Sequence, residues 1–394
     1  MDAALFSNSP SGRLVRAIDG YRAFVPNPLP PKLDWSDALV SLTSRADIAL
    51  GTLSGLGENL PNPHLLIYPF IRKEAVLSSR IEGTQSSLSD LLLFEATKAE
   101  KQRDVKEVEN YVRAIEYGLK RLEELPLSLR LIRELHAILM EGVRGERATP
   151  GEFRQSQNWI GPPGCTLNDA TFVPPPVAEM KEALDQLEKF LHADTQLPPL
   201  VELALIHYQF EAIHPFLDGN GRIGRLLVTL FLCQRRILNR PLLYLSAFFE
   251  RHRQEYYDHL LRVSQRGTWQ QWLEFFMQAV VNQSDDAVRR ARRLLDLHRT
   301  YHQTSLEKRL TPTAAELVEL IFVRPVLNTK VAQESLKVTY PGAQKAINAL
   351  AEQGILAEIT GGKRNKAYAA RKILEILEEE TPSGTAGGPG TKKN

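Results

Sequence analysis

The chain has 394 residues, of which 43% are apolar and 24% charged, so it can bury a sizeable core like an ordinary soluble globular protein. The 49 lysines and arginines almost balance the 47 aspartates and glutamates, and a net charge of +2 indicates neither a nucleic acid nor a membrane as a partner. Two cysteines provide no disulfide framework, the N-terminus lacks the order of a signal peptide, and the apolar run Leu226–Cys233 is too short to span a bilayer. We therefore expect a cytoplasmic protein with no membrane partner.

The first third of the chain predicts an arm followed by helices. Residues 1–34 are rich in proline and polar residues and are expected to lie extended over the body. Apolar spacing of period 3.6 predicts helices in five places: about 35–60, 67–82 with Gly83 as its end, from Ser87, through KEVENYVRAIEYGLKRLEEL, and Ser128–Met140.

The helical pattern is interrupted once and then resumes. The segment TPGEFRQSQNWIGPPGCTLNDATFVPPP, residues 149–176, combines many glycines and prolines with short β-prone pieces and predicts a hairpin, called here the flap. Helices are predicted over 177–191, 200–213 and 222–236, with two or three more to about residue 300.

The C-terminal part has a different order of elements. From LTPTAAELVEL onward the pattern predicts helix, turn, helix, turn, helix and a β-hairpin across Gly361–Gly362, which resembles a winged helix. The tail TPSGTAGGPGTKKN has low complexity and is expected to be disordered.

The stretch HPFLDGNGRIGR, residues 214–225, is the most informative part of the sequence. Its glycines and Asn220 lie where a helix should begin, and the free N–H groups of a helix N-terminus bind anions. Glycine lets that backbone approach a phosphate closely. Arg222 and Arg225 share one helix face, and guanidinium groups bind phosphate oxygens in forked pairs. The stretch therefore predicts a site for more than one phosphate.

Two further side chains of this stretch complete the predicted chemistry. Asp218 would bind Mg²⁺, which accompanies polyphosphates, and His214 has an unperturbed pKa of about 6.5 that suits proton removal. We therefore expect a Mg²⁺–nucleotide substrate. Taken singly, these residues have ordinary explanations, such as a turn, a structural histidine or a solvated face. Their combination within twelve residues favours a binding site.

The same stretch resembles a known family. HPFLDGNGRIGR matches the Fic pattern, His-Pro-Phe-x-Asp/Glu-Gly-Asn-Gly/Lys-Arg-x-x-Arg, at every fixed position, and the resemblance extends over most of residues 1–300. Fic proteins are mostly protein adenylyltransferases, which transfer AMP from ATP to a Ser, Thr or Tyr hydroxyl and release pyrophosphate. The resemblance implies a mainly α fold: an all-helical Fic core with a β-hairpin flap, plus the C-terminal winged-helix-like domain.

The resemblance also implies roles for individual residues. His214 would be the general base and Asp218 the Mg²⁺ ligand, and a glycine at 221 favours AMP transfer over kinase chemistry. The α- and β-phosphates would be held by Asn220, Gly221 and Arg222, and the terminal phosphate by Arg225. The residues expected to bind ATP and its phosphates are Gly219, Asn220, Gly221, Arg222, Ile223, Gly224, Arg225, Tyr256 and Ser264. Tyr256 and Ser264 come from EYYDHLLRVS, which is similar to the stretch lining the family's adenine pocket.

The flap and the 67–82 helix carry two more expectations. In the flap, Asn158, Trp159, Ile160 and Gly161 resemble the hairpin on which Fic targets dock through main-chain hydrogen bonds. Ser78 and Glu82 share one helix face, and Ser-x-x-x-Glu-Gly resembles the motif of an inhibitory helix preceding the core. Its glutamate would pair with Arg225 and remove a donor from the γ-phosphate. In some relatives this glutamate also supports AMP removal.

The resulting domain division is 1–110 for the arm and the helices with the inhibitory motif, 111–300 for the Fic core, 305–380 for the winged-helix-like domain, and 381–394 for the tail. The expected partners are ATP and a protein substrate, which could be the chain itself. The resemblance also suggests a homodimer.

Three alternatives stay open. The C-terminal part could make the chain a DNA-binding or protein-docking regulator that senses nucleotide, with Lys363, Arg364 and Lys366 of the wing touching phosphate. The scaffold could transfer another group, such as phosphate or a different nucleotide. A metallohydrolase using His207, His214 and Asp218 is the weakest alternative.

Overall fold

The computed structural model describes residues 1–17, 20–58, 62–97, 103–143, 149–361 and 366–379. Within these ranges it contains fifteen α-helices and five short β-strands, so the predicted mainly helical fold is confirmed. The predicted disordered tail lies outside the described residues, as do Gly362, Lys363 and Arg364 of the predicted wing.

Five helices precede the flap, at positions close to those predicted. They are α1 (Asp37–Glu58), α2 (His64–Ile81), α3 (Leu88–Thr97), α4 (Arg103–Arg121) and α5 (Leu129–Leu139). Helix α2 ends before Gly83, whose φ of 100° is unfavourable for other residues. Helix α5 begins after Ser128, whose side chain accepts a hydrogen bond from the Leu131 N–H.

Six helices follow the flap and contain the centre of the core. They are α6 (Val177–Leu191), α7 (Pro199–Ile213), α8 (Asn220–Gln234), α9 (Ser246–Arg251), α10 (Arg253–Arg266) and α11 (Trp269–Glu307). Nearly every residue of α7 is buried, which is typical of a helix surrounded on all sides. Helices α7 and α8 pack against each other, so the turn between them is held by two buried elements.

The N-terminal arm is more structured than the sequence indicates. After a 3₁₀ helix at Ala3–Phe6, strands β1 (Gly12–Arg16) and β2 (Arg22–Pro26) form an antiparallel hairpin. The aromatic ring of Phe24 contacts those of Phe6 and Phe172, with ring centroids 5.6 and 5.9 Å apart. The arm therefore packs against the flap.

The flap contains less regular structure than a β-hairpin. Its described residues form a single bridge, between Ile160 and Phe172. The prolines at 162–163 and 174–176 flank these partners and lack the N–H that a longer ladder requires, which explains the difference.

The C-terminal part has the three predicted helices followed by two strands, and it adds a strand after the first helix and a helix at the end, which the sequence analysis did not predict. Its helices are α12 (Pro312–Val323), α13 (Thr329–Leu336), α14 (Tyr340–Glu352) and α15 (Arg371–Glu378), and its strands are β3 (Val326–Asn328), β4 (Ala357–Glu358) and β5 (Ala367–Ala369). The antiparallel strands are ordered β3-β5-β4. Lys366, the described member of the predicted basic wing, pairs with Glu358 at 2.8 Å.

The C-terminal part is not separated from the helical body. Helix α12 packs on α2 and α11, and β3 lies against α3. In the described chain, most buried apolar side chains belong to one cluster that extends from Phe6 to Leu377. None of the described helices combines the length and the apolar character needed to cross a bilayer.

Candidate active site

The turn between α7 and α8 carries the 214–225 stretch. His214 ends α7 in the left-handed conformation, with φ 49° and ψ 61°, and Gly219 precedes α8 with φ 79°. The Asn220 side chain closes the turn, because its amide accepts from the Phe216 N–H and donates to the Phe216 carbonyl, both at 2.8 Å. The Asn220 side chain thus fixes the loop, which leaves only its backbone for the predicted phosphate contact.

Two side chains of the flap hold the turn from outside. Arg154 is fully buried and donates through Nε to the His214 carbonyl at 3.0 Å. The amide of Asn158 donates to the Phe216 carbonyl at 2.7 Å. Asn158, predicted to dock a target, therefore also positions the α7–α8 turn.

His136 on α5 contacts the turn at Asp218 and Phe216. Its Nδ1 accepts from the Gly151 N–H at 2.9 Å, so Nε2 carries the proton and donates to the Asp218 carbonyl at 3.0 Å. Its ring stacks on Phe216 with centroids 3.7 Å apart and planes 6° from parallel. Burial lowers the pKa of His136 to about 4, so the ring is neutral at pH 7.

His214 has the geometry of a general base. Its Nδ1 lies 3.2 Å from the Glu211 carbonyl, which can only accept, so the proton is on Nδ1 and the lone pair on Nε2. Burial, together with the positive charge of Arg154, lowers the pKa of His214 to about 4. The imidazole is therefore neutral at pH 7 and able to accept a proton.

Asp218 has the surroundings expected of a Mg²⁺ ligand. Its side chain is 47% exposed, and its Oδ1 accepts from the Gly219 N–H at 2.6 Å. Within the described ranges, Oδ2 accepts no hydrogen bond. One accessible carboxylate fits Mg²⁺, which keeps several waters and binds through one or two carboxylates plus substrate phosphates.

Arg225 is held by the end of helix α2. Its guanidinium donates to the Ser78 hydroxyl and carbonyl, both at 2.9 Å, and to Glu82 Oε1 at 2.6 Å. Burial opposes ionisation of Glu82, but the charge of Arg225 outweighs it and holds the pKa of Glu82 below its usual value. A Cβ at Gly221 would lie 2.3 Å from Glu82 Oε1, so this approach of the carboxylate requires glycine.

Three residues predicted to bind phosphate already have partners within the protein. Arg222 is 3% exposed and pairs with Glu107 at 3.1 Å and with Asp218 at 3.6 Å. The Ile223 side chain is buried in the core and its N–H donates to the Gly219 carbonyl. The Gly224 carbonyl accepts from His207. The expectation that Ile223 and Gly224 contact ATP stays a prediction, and the contacts named here give both residues a role in the packing of α8.

A pocket of about 870 Å³ opens beside the turn. His214, Gly221 and Arg225 form one side of it and flap residues Trp159, Ile160 and Gly161 another. Its volume falls within the range of small-molecule sites.

Tyr256 and Ser264 line the same pocket, but their hydroxyls are already bonded. The Tyr256 hydroxyl lies 2.8 Å from His207 Nε2, and that of Ser264 lies 2.9 Å from the Tyr208 hydroxyl. These residues thus form a wall whose polar atoms are satisfied within the protein.

Glu211 is a pocket residue that the sequence analysis missed. Its Oε1 is buried without a hydrogen-bond partner in the described part of the chain. Burial raises the pKa of Glu211 to about 7, with nearby Arg225 opposing and Glu82 reinforcing the shift. The sequence signal that could have identified Glu211 is a carboxyl side chain three residues before His214.

The metallohydrolase alternative does not fit this geometry. His207 is buried, and both of its nitrogens are bonded, to Gly224 and to Tyr256. Burial lowers its pKa to about 3. Among the described histidines, cysteines and acids, His207, His214 and Asp218 do not form a metal-binding group.

Comparisons with known proteins relate the chain to one family. Residues 40–120 match the family described as "Fic/DOC family N-terminal", and residues 126–232 match "Fic/DOC family", which includes the whole 214–225 stretch. Protein adenylyltransferase Fic of Drosophila grimshawi is 28% identical over 156 residues, 39% of this chain and 29% of that protein. The Drosophila virilis protein of the same name is also 28% identical over 156 residues. The chain thus spans under a third of the length of these relatives.

A solved structure supports the fold over a longer range. A Fic family protein from Desulfovibrio desulfuricans G20 aligns with 87% of this chain and 98% of its own, with a TM-score of 0.56 and 20% identity. Residues 1–307 make up less than 87% of the chain, so the likeness in fold extends into the C-terminal part. The two family matches, the second of which contains the complete motif, show that this chain has a Fic N-terminal region followed by a domain of the Fic/DOC family.

Proposed function

We propose that this protein is an adenylyltransferase that moves AMP from ATP to a Ser, Thr or Tyr hydroxyl of a protein and is inhibited by its own Glu82. The observation that carries the proposal is the arrangement of His214, whose neutral Nε2 is available, beside Gly221 and Arg225 in one pocket. This places a proton acceptor next to a glycine and an arginine suited to phosphate.

The reaction follows from the properties of these groups. A target hydroxyl at the flap loses its proton to Nε2 of His214, and its oxygen forms a bond to the α-phosphorus of ATP. The bond between the α-phosphorus and the bridging oxygen breaks, and pyrophosphate leaves with that electron pair. Asp218 would hold Mg²⁺, which neutralises phosphate charge when bound.

The target would bind at the edge of the flap. Trp159 and Ile160 are 42% and 38% exposed, a large apolar area beside the pocket. Main-chain pairing along such an edge gives affinity with little sequence selectivity, so a second copy of the chain is one candidate target.

The inhibition would act on Arg225. Glu82 and Ser78 occupy its donors, and the Glu82 carboxylate lies above Gly221, where a γ-phosphate would approach. A carboxylate in that place repels phosphate and displaces ATP from the pose needed for attack. A displacement of the reacting atoms by about 1 Å can lower the reaction rate about 100-fold.

Intact-protein mass spectrometry after incubation with ATP and Mg²⁺ tests the proposal. We expect one added AMP on Glu82→Gly, little on the wild type, and none on the double variant Glu82→Gly, His214→Ala. Addition of phosphate instead of AMP would refute the assigned transfer. An equal rate in wild type and Glu82→Gly would refute the inhibitory role.

A further inference from the structure

A cluster of two histidines and one glutamate lies far along the chain from the pocket. His298 and His302 are one helical turn apart on α11, and Glu319 is on α12. Nε2 of His298 lies 2.7 Å from Glu319 Oε1, and Nε2 of His302 contacts the same oxygen. The three donor atoms all lie within 4.8 Å of one another.

The histidines are held in this arrangement by packing. The two rings are edge-to-face with centroids 4.5 Å apart, and the His298 ring also meets Phe322 edge-on at 5.0 Å. The His298 side chain is only 19% exposed. Two imidazoles four residues apart on a helix face one point, a spacing that helical metal sites use. Rings fixed in this way lose little entropy on binding an ion.

The donor set indicates the kind of ion. Two imidazole nitrogens and one carboxylate oxygen suit Zn²⁺, whereas Mg²⁺ and Ca²⁺ prefer oxygen ligands alone. With bonds of about 2.0–2.1 Å, tetrahedral donors are about 3.3 Å apart. The 2.7 Å between His298 Nε2 and Glu319 Oε1 is shorter than this by about 0.6 Å. The Glu319 side chain is 38% exposed and can withdraw by that distance.

We propose that His298, His302 and Glu319 bind Zn²⁺ and that the ion joins α11 to α12. Three protein ligands leave a fourth position for water. Because α11 belongs to the helical body and α12 begins the C-terminal part, the ion would fasten these two parts together. The proposal does not depend on the adenylyltransferase function.

The test uses the untagged full-length protein after treatment with EDTA. Zn²⁺ is titrated against it in competition with a chromophoric chelator, and the midpoint of thermal unfolding is measured with and without Zn²⁺. We expect one Zn²⁺ per chain and a higher midpoint in its presence. His302→Ala should lose at least tenfold in affinity together with the shift in midpoint.

Two further variants make the result specific. Glu319→Gln keeps an acceptor for the imidazoles but lacks the charged ligand, so it should fold normally and bind at least tenfold more weakly. His192→Ala removes an exposed histidine at the end of α6 and should bind like the wild type. Equal affinity in His302→Ala and the wild type, or no stoichiometric binding by the wild type, would overturn the proposal.

Discussion

Glu211 is the pocket residue whose charge changes near neutral pH. With a pKa raised to about 7, its carboxyl is largely ionised at pH 8 and largely protonated at pH 6. An ionised Glu211 repels phosphate, so Glu211→Gln should bind ATP several-fold more tightly than the wild type at pH 8. At pH 6 the two proteins should bind ATP with similar affinity. Calorimetric titration with ATP at both pH values measures the ratio of the two affinities. A ratio that does not change with pH would contradict the expectation.

His136 is the clearest case of a residue that acts through its neighbours. His136→Phe retains the stacking on Phe216 but leaves the Gly151 N–H and the Asp218 carbonyl without their partner. The loss of these two hydrogen bonds should lower the free energy of unfolding at pH 7 by about 3 kcal/mol. Urea unfolding measures this loss, with His192→Phe as an exposed control.

The same variant has a predicted pH dependence. Burial lowers the pKa of His136 in the folded protein to about 4, from its ordinary value of 6.5. Between these values the unfolded chain binds more protons, so the contribution of the neutral ring is present above pH 6.5 and is lost as the pH falls towards 4. The gap in unfolding free energy between wild type and His136→Phe should therefore narrow by about 2 kcal/mol from pH 7 to pH 5. A gap of constant size would argue against a buried neutral histidine.

At the scale of elements, the periodicity of apolar residues predicted the helices. It did not predict the hairpin of the arm, which forms through contacts between distant parts of the chain. Helices α5, α6 and α7 lie within a residue or two of their predicted bounds, because their apolar spacing and flanking polar or proline residues are local signals. The hairpin of the arm depends on Phe24 meeting Phe172, about 150 residues later, and no local pattern records that contact.

The residues of the candidate site also fall into a group that the sequence predicts and a group that it does not. Its residues within 214–225 could be read from one short stretch, whereas Glu107, His136 and Arg154 could not. Each of these three lies alone on a helix or loop and acquires its role only when folding brings it to the α7–α8 turn. Conversely, Ile223 belongs to the motif but packs in the core, since a helix directs only part of its residues to one side.

Helix α2 offers a matched pair of substitutions for the proposed inhibition. Ser78→Ala removes the acceptor of Arg225 Nε, a bond to a charged group worth about 1.5–3 kcal/mol. We expect a faster AMP transfer than in the wild type, by up to about tenfold, and less than in Glu82→Gly.

The neighbouring Ser79 serves as the control. It is equally buried, but its hydroxyl has no hydrogen-bond partner among the described residues. Ser79→Ala should therefore leave the rate of AMP transfer unchanged. An equal effect of Ser78→Ala and Ser79→Ala, measured by mass spectrometry, would show that general loosening of α2 is the cause.

For the whole molecule, the continuous core predicts that the body and the C-terminal part unfold together. Arg290 of α11 connects them, because it is fully buried, pairs with Asp286 at 2.7 Å and donates to the carbonyls of Ile376 and Glu379 at the end of α15. Arg290→Ala leaves Asp286 without this partner and the carbonyls without their donor. Breaking a buried pair of this kind costs about 3–5 kcal/mol.

Two optical probes can test this coupling in one denaturant titration. All four tryptophans precede residue 300, so their fluorescence reports the body, while far-UV circular dichroism reports every helix. Both transitions should coincide in the wild type and shift together in Arg290→Ala. Arg299→Ala breaks an exposed pair with Asp296 on the same helix and should change stability by less than about 0.5 kcal/mol. If only the circular dichroism transition moved in Arg290→Ala, the C-terminal part would be an independent folding unit, and the contacts of α12 with α2 would contribute little to the stability of helix α2.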